Sequence, residues 1–385
     1  MFSPSKKLDH LQTSVFTDLS LRKKEKELEG ASLIDLSIGS PDLPPPPFLK
    51  EELMKAVAND FDYGYAITSE ITFREAVCHF YQKRYDVTIE ESDVLQLMGS
   101  QDGLAHLALS YLDEEDIMLV PNPGYPIYAA SAELAGATLH PYPLNEENNY
   151  QFDFSSLSSE IVKKAKIVIL SYPSNPTAAT ATRAYLEEVI AFATKHQILV
   201  VHDFAYSELL YDDLQPLSIL SIEGAKEVAI EFNSMSKSFN FAGARIGYGI
   251  GHPELLKPLA IVKSHIDYGV FKPIQRAATI ALQNPGTFLE DQRSVYKKRR
   301  DTLVHSLHDI GWDVPSPKGG MFLWAKVPSH FDSMSFTLAA LNHGVIVTPG
   351  MAFGSEGEGF VRVALVQDEP NLKEVAKRLK PLFTS

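Results

Sequence analysis

The sequence predicts an α/β protein in which helices flank a mainly parallel sheet, followed by a smaller α+β domain. Between about residues 50 and 250, short apolar runs alternate with stretches of helical period, such as 185–196. Apolar runs of this length are typical of strands that are buried on both faces of a parallel sheet. The runs lie at 94–98, 117–120, 167–170, 198–201, 228–232 and 246–250.

The pattern changes after about residue 290, where a charged helix is predicted at 293–307. Short apolar runs follow at 321–324, 345–347 and 361–365, and a closing helix begins at Glu369. We expect a large domain over 48–275 and a small domain formed by 1–47 together with 276–385. The four consecutive prolines at 44–47 form a stiff segment that we expect to connect the two.

Composition excludes several classes of partner. The 35 basic and 49 acidic side chains give a formal net charge of -14, which repels phosphate backbones and anionic membranes. No apolar run approaches the roughly 20 residues that span a bilayer, and the single cysteine, Cys78, rules out an intramolecular disulfide. We therefore expect a cytoplasmic protein without nucleic-acid or membrane partners.

Polar and aromatic groups follow the predicted strands. Ligands of open α/β sheets bind just beyond the carboxyl ends of the strands, so these positions indicate the function. They are, in chain order, Ser100 and Gln101, Tyr125, Asn175, Asp203 and Tyr206, and Ser234, Ser236 and Lys237, with Arg245 after them. The strand ends thus offer backbone amides for an anion, an aromatic face, an amide, a carboxylate with a phenol, and an amine. This set predicts a cofactor site.

Three motifs carry a family resemblance. Ser-Asn-Pro-Thr at 174–177, Asp-Phe-Ala-Tyr at 203–206 and Ser-x-Ser-Lys-x7-Arg at 234–245 occur in the order and spacing of the class I/II (fold type I) aminotransferases. The chain resembles this family over essentially its whole length. The resemblance implies a seven-stranded large-domain sheet, pyridoxal 5'-phosphate as cofactor, and a ping-pong transfer of an amino group from an L-amino acid to a 2-oxo acid.

The resemblance also implies roles for residues around the cofactor ring. Lys237 matches the lysine that binds the pyridoxal aldehyde covalently and then acts as acid and base. Asp203 matches the carboxylate that pairs with the pyridine nitrogen. Tyr206 and Asn175 match the donors to the phenolic oxygen, and Tyr125 matches the aromatic ring that stacks on the cofactor.

The cofactor phosphate has its own expected set of ligands. Backbone amides of Ser100 and Gln101, at a helix N-terminus, suit a phosphate dianion, and the side chains of Ser234, Ser236 and Arg245 are expected to supplement them. A further residue, Tyr65, matches the tyrosine that relatives extend to the phosphate from the neighbouring subunit. The resemblance therefore implies a homodimer whose active sites are shared.

Arg362 is the expected ligand of the substrate carboxylate. It lies within an apolar run, and because an unpaired buried arginine is very costly, it must meet an anion. Asn175 and the backbone at Gly39 are expected to assist. No arginine occurs in 263–271, the region that presents one in dicarboxylate-specific relatives, and the pattern is most similar to alanine and LL-diaminopimelate aminotransferases.

Other interpretations stay open at this point. A β-lyase on the same cofactor fold has the same residues, and a non-catalytic ligand-binding domain is a third hypothesis, which the set of lysine, aspartate and arginine disfavours. His305 and His308 share a helix face, but no third ligand follows at metal spacing. No metal site is predicted.

Overall fold

The computed structural model describes residues 2–8, 11 and 14–383. Its strands are β1 (Ile34–Asp35), β2 (Val94–Leu97), β3 (Ile117–Asn122), β4 (Thr138–Pro143), β5 (Ala165–Ser171), β6 (Leu199–Asp203), β7 (Ala229–Ser234), β8 (Gly247–Gly251), β9 (Phe322–Lys326), β10 (Val345–Ile346), β11 (Thr348–Pro349) and β12 (Phe360–Ala364). Its helices are α1 (Ser14–Leu28), α2 (Pro47–Val57), α3 (Ile71–Tyr85), α4 (Ser100–Tyr111), α5 (Ile127–Ala135), α6 (Ser159–Lys164), α7 (Arg183–His196), α8 (Met235–Ser238), α9 (Pro253–Ile266), α10 (Lys272–Gln283), α11 (Phe288–His308), α12 (Ser333–Asn342) and α13 (Glu369–Leu379).

Within the described residues the large sheet has seven strands in the order β2–β8–β7–β6–β5–β3–β4. Only β8 runs antiparallel to its neighbours β2 and β7 in this sheet, which confirms the mainly parallel sheet. The parallel strands therefore end along one edge, so the segments that follow them are brought together there.

Strand β5 shows why these apolar runs fold as buried strands. Ile167 and Ile169 pack in the core shared with α4, α5 and α9, whereas Val168 and Leu170 pack in the core shared with α7. Successive strand side chains point to opposite faces, so a strand that is covered on both sides must be apolar throughout.

Strand β4 is one element that the sequence prediction missed. Its residues include Pro141 and Pro143, and it pairs only with β3 at the edge of the sheet. Proline lacks the N–H that a central strand needs, and edge strands tolerate it. The composition of β4 therefore hides a true strand.

The N-terminal segment packs with the C-terminal part of the chain. β1 pairs in parallel with β10, and β11, β12 and β9 form an antiparallel sheet. Ile34 and Leu36 are buried in the core that α11 and α13 cover, where Tyr296 and Leu372 also pack.

The proposed domain boundary at 275/276 falls inside α10. Ala277 and Ala278 of this helix pack in one core with Phe73 and Ala76 of α3, so we now propose a boundary after α10. In the described part of the chain, no helix is both long enough and apolar enough to cross a membrane.

Candidate active site

A cavity of about 610 Å³ lies at the carboxyl edge of the large sheet, beside β12. All but one of the predicted site residues line it: Gly39, Ser100, Gln101, Tyr125, Asn175, Asp203, Tyr206, Ser234, Ser236, Lys237, Arg245 and Arg362. The exception is Tyr65, whose side chain is 84% exposed and packs edge-to-face on Tyr268 at 5.6 Å between ring centroids. A single chain therefore does not bring Tyr65 into its own cavity.

Lys237 lies in the short helix α8, directly after β7. Its Nζ donates a hydrogen bond to the Gly39 carbonyl and lies 5.8 Å from the centroid of the Tyr206 ring. The pKa of Lys237 is lowered to about 8, mainly by burial and also by the charge of Arg362, while Asp203 opposes the shift. At pH 7 an amine with a lowered pKa is neutral in a much larger fraction of molecules than an ordinary lysine. A lowered pKa of this kind is what a nucleophile or base that works at neutral pH requires.

Asp203 is the last residue of β6 and is buried. Its carboxylate accepts hydrogen bonds from the Tyr128 hydroxyl at 2.7 Å and from the Ala205 amide at 3.3 Å. Burial raises the pKa of Asp203, and the hydrogen bond from Tyr128 lowers it. Both donors are neutral, so a cation placed against this carboxylate would be strongly favoured.

Tyr128 was not predicted as a site residue. The signal for it is weak: it comes three residues after Tyr125, at the start of α5. Ordinary core packing accounts equally well for an aromatic residue there. Only the hydrogen bond to Asp203 shows that Tyr128 orients the carboxylate.

An anion cradle forms where β2 leads into α4. Gly99 has φ +84°, and a Cβ there would lie 2.6 Å from Nη2 of Arg245; a Cβ at Gly247 would lie 3.0 Å from the Ser100 amide nitrogen. The Ser236 hydroxyl is buried without a hydrogen-bond partner in the described residues. Backbone amides, a guanidinium and an unpaired hydroxyl thus line one corner of the cavity, and this set suits a phosphate.

Arg362 is 5% exposed, and its guanidinium carbon lies 4.3 Å from the Phe322 ring centroid and 4.7 Å from the Phe353 ring centroid. It donates to Asn175 Oδ1 at 2.9 Å and to the Ser37 carbonyl at 2.8 Å, and its buried Nε has no partner among the described residues. Burial lowers its pKa to about 10, which leaves it charged at neutral pH. These partners are neutral, so Arg362 can still take up an anion.

The remaining predicted residues arrange donors around the cavity. Because Asn175 Oδ1 is bound by Arg362, the amide NH₂ of Asn175 is the group left to donate. Burial raises the pKa of Tyr206, which keeps its phenol protonated as a donor. The Tyr125 hydroxyl donates to Gln101 Oε1 at 3.1 Å, which fixes the ring of Tyr125 beside the cradle.

Two groups of potential metal ligands can be described. Asp102, His106 and Asp267 have ligand atoms within 4.8 Å of one another, but the Lys263 ammonium bonds to both carboxylates. The second group is the pair His305 and His308. His308 Nε2 lies 2.9 Å from the Val314 carbonyl oxygen, so this ring already contacts the backbone.

Comparison with known proteins identifies the family. The family model for aminotransferase class I and II matches residues 31–379. The chain belongs to the class I and II aminotransferases. It is 41% identical over 377 residues to the LL-diaminopimelate aminotransferase of Dehalococcoides mccartyi, covering 97% of both chains, and 38% identical over 385 residues to that of Maridesulfovibrio salexigens, covering 99% of both.

Solved structures give the same result. Substrate-bound BacF from Bacillus subtilis superimposes with a TM-score of 0.96 at 36% identity and covers 100% of both chains. A probable N-succinyldiaminopimelate aminotransferase from Thermus thermophilus has a TM-score of 0.91 at 36% identity and covers 96% of this chain and 100% of that one. The predicted fold and the predicted aminotransferase activity are confirmed, and the lyase alternative is not favoured.

As a member of this family, the enzyme uses pyridoxal 5'-phosphate. The residues present fit that cofactor: Asp203 offers a buried carboxylate with neutral partners, Ser236 an unpaired hydroxyl, and Lys237 an amine of lowered pKa. When bound, the cofactor supplies an aldehyde that takes up the amino group and a ring that accepts electrons.

Proposed function

We propose that the enzyme binds its amino donor through the α-carboxylate, on Arg362. The observation that carries this proposal is the buried guanidinium, whose hydrogen-bond partners are all neutral. A planar guanidinium matches a carboxylate with two parallel hydrogen bonds. The guanidinium also contacts the rings of Phe322 and Phe353, and these contacts help to fix its orientation toward the substrate. Gly39 lies against this guanidinium, since a Cβ there would be 3.7 Å from both Nη atoms of Arg362, and its backbone amide is the group that would assist in binding the carboxylate.

The same geometry supports the roles that the family resemblance implies around the cofactor. Lys237 holds the cofactor and moves the proton at the substrate Cα, because its amine is substantially neutral near pH 8. Asp203 holds the ring nitrogen, with Tyr128 orienting the carboxylate. Tyr206 and the NH₂ of Asn175 donate to the phenolic oxygen, and Tyr125 packs on the ring. Ser100, Gln101, Ser234, Ser236 and Arg245 bind the phosphate.

We propose LL-diaminopimelate, or an α-amino acid like it, as the donor. The curated relatives of that name support this choice. Within 263–271 the charged candidate, Lys263, already bonds to Asp102 and Asp267, so it offers no free cation to a side-chain carboxylate such as that of aspartate. The distal end of diaminopimelate carries both an ammonium and a carboxylate and has no net charge, so it needs no such counter-charge.

A panel of amino donors tests this choice. With 2-oxoglutarate and then pyruvate as acceptor, we expect kcat/KM for LL-diaminopimelate to exceed that for aspartate by at least about tenfold, which corresponds to one unpaired charge in the site, or about 1.4 kcal/mol. Alanine and phenylalanine complete the panel. Faster turnover of aspartate would contradict the substrate assignment, and pyruvate release from a β-substituted alanine without any acceptor would favour the lyase.

We further propose that the enzyme is a homodimer with shared active sites. An aromatic patch, formed by Tyr63, Tyr65, Tyr268 and Phe271, is 62%, 84%, 54% and 37% exposed, respectively. Its rings pair edge-to-face, Tyr63 on Phe271 at 5.3 Å and Tyr65 on Tyr268 at 5.6 Å. Exposed aromatic surface of this kind is typical of an interface and supports the proposal. The family resemblance of Tyr65 supports a second copy as the occupant, with this phenol donating to the partner's cofactor phosphate.

Mixing two defective variants tests the shared site. Tyr65→Phe removes one hydrogen bond to a dianion, so we expect cofactor affinity to fall about tenfold or more. At limiting cofactor, an equimolar mixture with Lys237→Ala should recover about one quarter of wild-type activity, because half of the dimers are mixed and each has one intact site. Tyr63→Phe, an exposed neighbour, is the matched control and should remain active alone. Verified subunit exchange without recovery would refute sharing.

The subcellular location of the enzyme is proposed from its composition. We propose that the enzyme works in the cytoplasm, without nucleic-acid or membrane partners, and the formal net charge of -14 and the single cysteine support this.

A further inference from the structure

Asp102 is the centre of a partly buried charge cluster next to the anion cradle. It lies in the first turn of α4, two residues after Ser100. One carboxylate oxygen accepts the Met98 amide at 2.7 Å and also bonds to the Lys263 ammonium, and the other lies 2.6 Å from His106 Nδ1. Asp102 therefore links Met98, which directly follows β2, to the first turn of α4. Ser100 and Gln101, whose backbone amides line the cradle, lie between Met98 and Asp102 in the chain.

Lys263 reaches this cluster from α9, and its side chain is only 5% exposed. The same ammonium bonds to Asp267 at 2.8 Å, and the Asp267 amide bonds back to the Lys263 carbonyl at 2.9 Å. Lys263 is thus held by two carboxylates, one on the cradle and one at the start of the 267–271 segment.

The 267–271 segment in turn contacts the residues around Tyr65. A Cβ at Gly269 would lie 2.3 Å from the Ala66 carbonyl oxygen, so the two backbones touch there. Tyr268 packs edge-to-face on Tyr65. Holding Asp267 in place therefore helps to hold residues 65–66, which we call the Tyr65 segment.

We propose that Lys263 is a positioning residue for cofactor phosphate in both active sites of the dimer. Through Asp102 it holds the cradle of its own subunit, and through Asp267 it holds the Tyr65 segment that reaches the partner's site. This inference rests on the proposed shared site. An ordinary surface ion pair would contribute little, but a lysine buried between two carboxylates leaves them uncompensated when it is removed.

The test compares cofactor with its dephosphorylated form. In Lys263→Met, which keeps the length of the side chain, we expect affinity for pyridoxal 5'-phosphate to fall about tenfold, the scale of weakened hydrogen bonds to a charged group. Affinity for pyridoxal should be unchanged, because pyridoxal makes no phosphate contacts. Buffers contain EDTA, since removing the ammonium leaves Asp102, His106 and Asp267 free to bind a metal ion.

A matched control separates positioning from general stability. Lys226 pairs with the buried Asp93 at 2.6 Å, and both residues precede their strands at the amino edge of the same sheet. Lys226→Met should keep the wild-type ratio of the two affinities even if it lowers the melting temperature. Lys263→Arg, which keeps the charge, should recover most of the wild-type ratio of the two affinities. If Lys263→Met does not fold, Lys263→Gln, which also removes the charge, takes its place as the test variant, and we expect the same fall in the ratio.

Placing Lys263→Met in differently tagged mixed dimers distinguishes its two attachments. When Lys263→Met and Lys237→Ala are on different chains, the working site lies in the chain that carries Lys263→Met, so its own cradle is weakened. When both changes are on the same chain, the working site lies in the other chain, and only the Tyr65 that it receives from its partner is affected. We expect weaker cofactor binding in both arrangements. An unchanged ratio of affinities in Lys263→Met overturns the inference. Failure of wild-type enzyme to prefer the phosphorylated form would instead overturn the proposed phosphate site.

Discussion

Replacement of Lys237 by alanine is expected to reduce transamination by at least about ten-thousandfold, the upper range for loss of a positioned acid–base group, because the covalent attachment of the cofactor is lost as well. The physical reason is the environment of the amine. It is buried, its pKa is lowered to about 8, and it interacts electrostatically with both Asp203 and Arg362. Steady-state assays and the visible absorbance of purified protein measure the two losses separately.

Added small amines provide the control for Lys237→Ala. A primary amine that enters the cavity of about 610 Å³ can accept the Cα proton in place of Nζ, so part of the activity should return with increasing amine concentration. Lys226→Ala, at the amino edge of the sheet, should behave like wild type. Full activity in Lys237→Ala would refute the assignment of the catalytic site.

Replacement of Asp203 by alanine is expected to lower kcat by well over tenfold, or more than about 1.4 kcal/mol of transition-state stabilisation. The buried carboxylate stabilises a positive charge on the cofactor ring nitrogen, and no other acidic side chain lines the described cavity. Covalent binding of the cofactor should persist, because Lys237 is intact. Rapid-mixing kinetics with a single donor measure the loss directly.

A cofactor analogue tests the reason for that loss. Pyridoxal phosphate methylated at the ring nitrogen carries a fixed positive charge, so it should restore part of the rate in Asp203→Ala. Tyr128→Phe, which removes the 2.7 Å hydrogen bond to Asp203, should cost less than Asp203→Ala. A loss below tenfold in Asp203→Ala, or no response to the analogue, would show that Asp203 does not act through charge.

Local sequence determined most of the fold and the residues that line the cavity. The apolar runs that became β2, β3 and β5 to β8 were recognisable because strands covered on both faces must be apolar throughout. Parallel strands end at one edge, so the groups that follow them, from Ser100 to Arg245, were predictable as neighbours without knowing any distance. Arg362 stood out because a buried arginine requires an anion.

The tertiary structure decided what those residues contact. Tyr128 bonds to Asp203 across 75 positions, Asn175 turns its oxygen to Arg362 across 187, and Lys263 joins Asp102 across 161. No periodicity or motif encodes such pairs, because each depends on how two separately formed elements pack. The sequence by itself determined which groups meet at the edge of the sheet. Packing determined which oxygen faces which nitrogen, and it left Tyr65 on the surface, outside the cavity of its own chain.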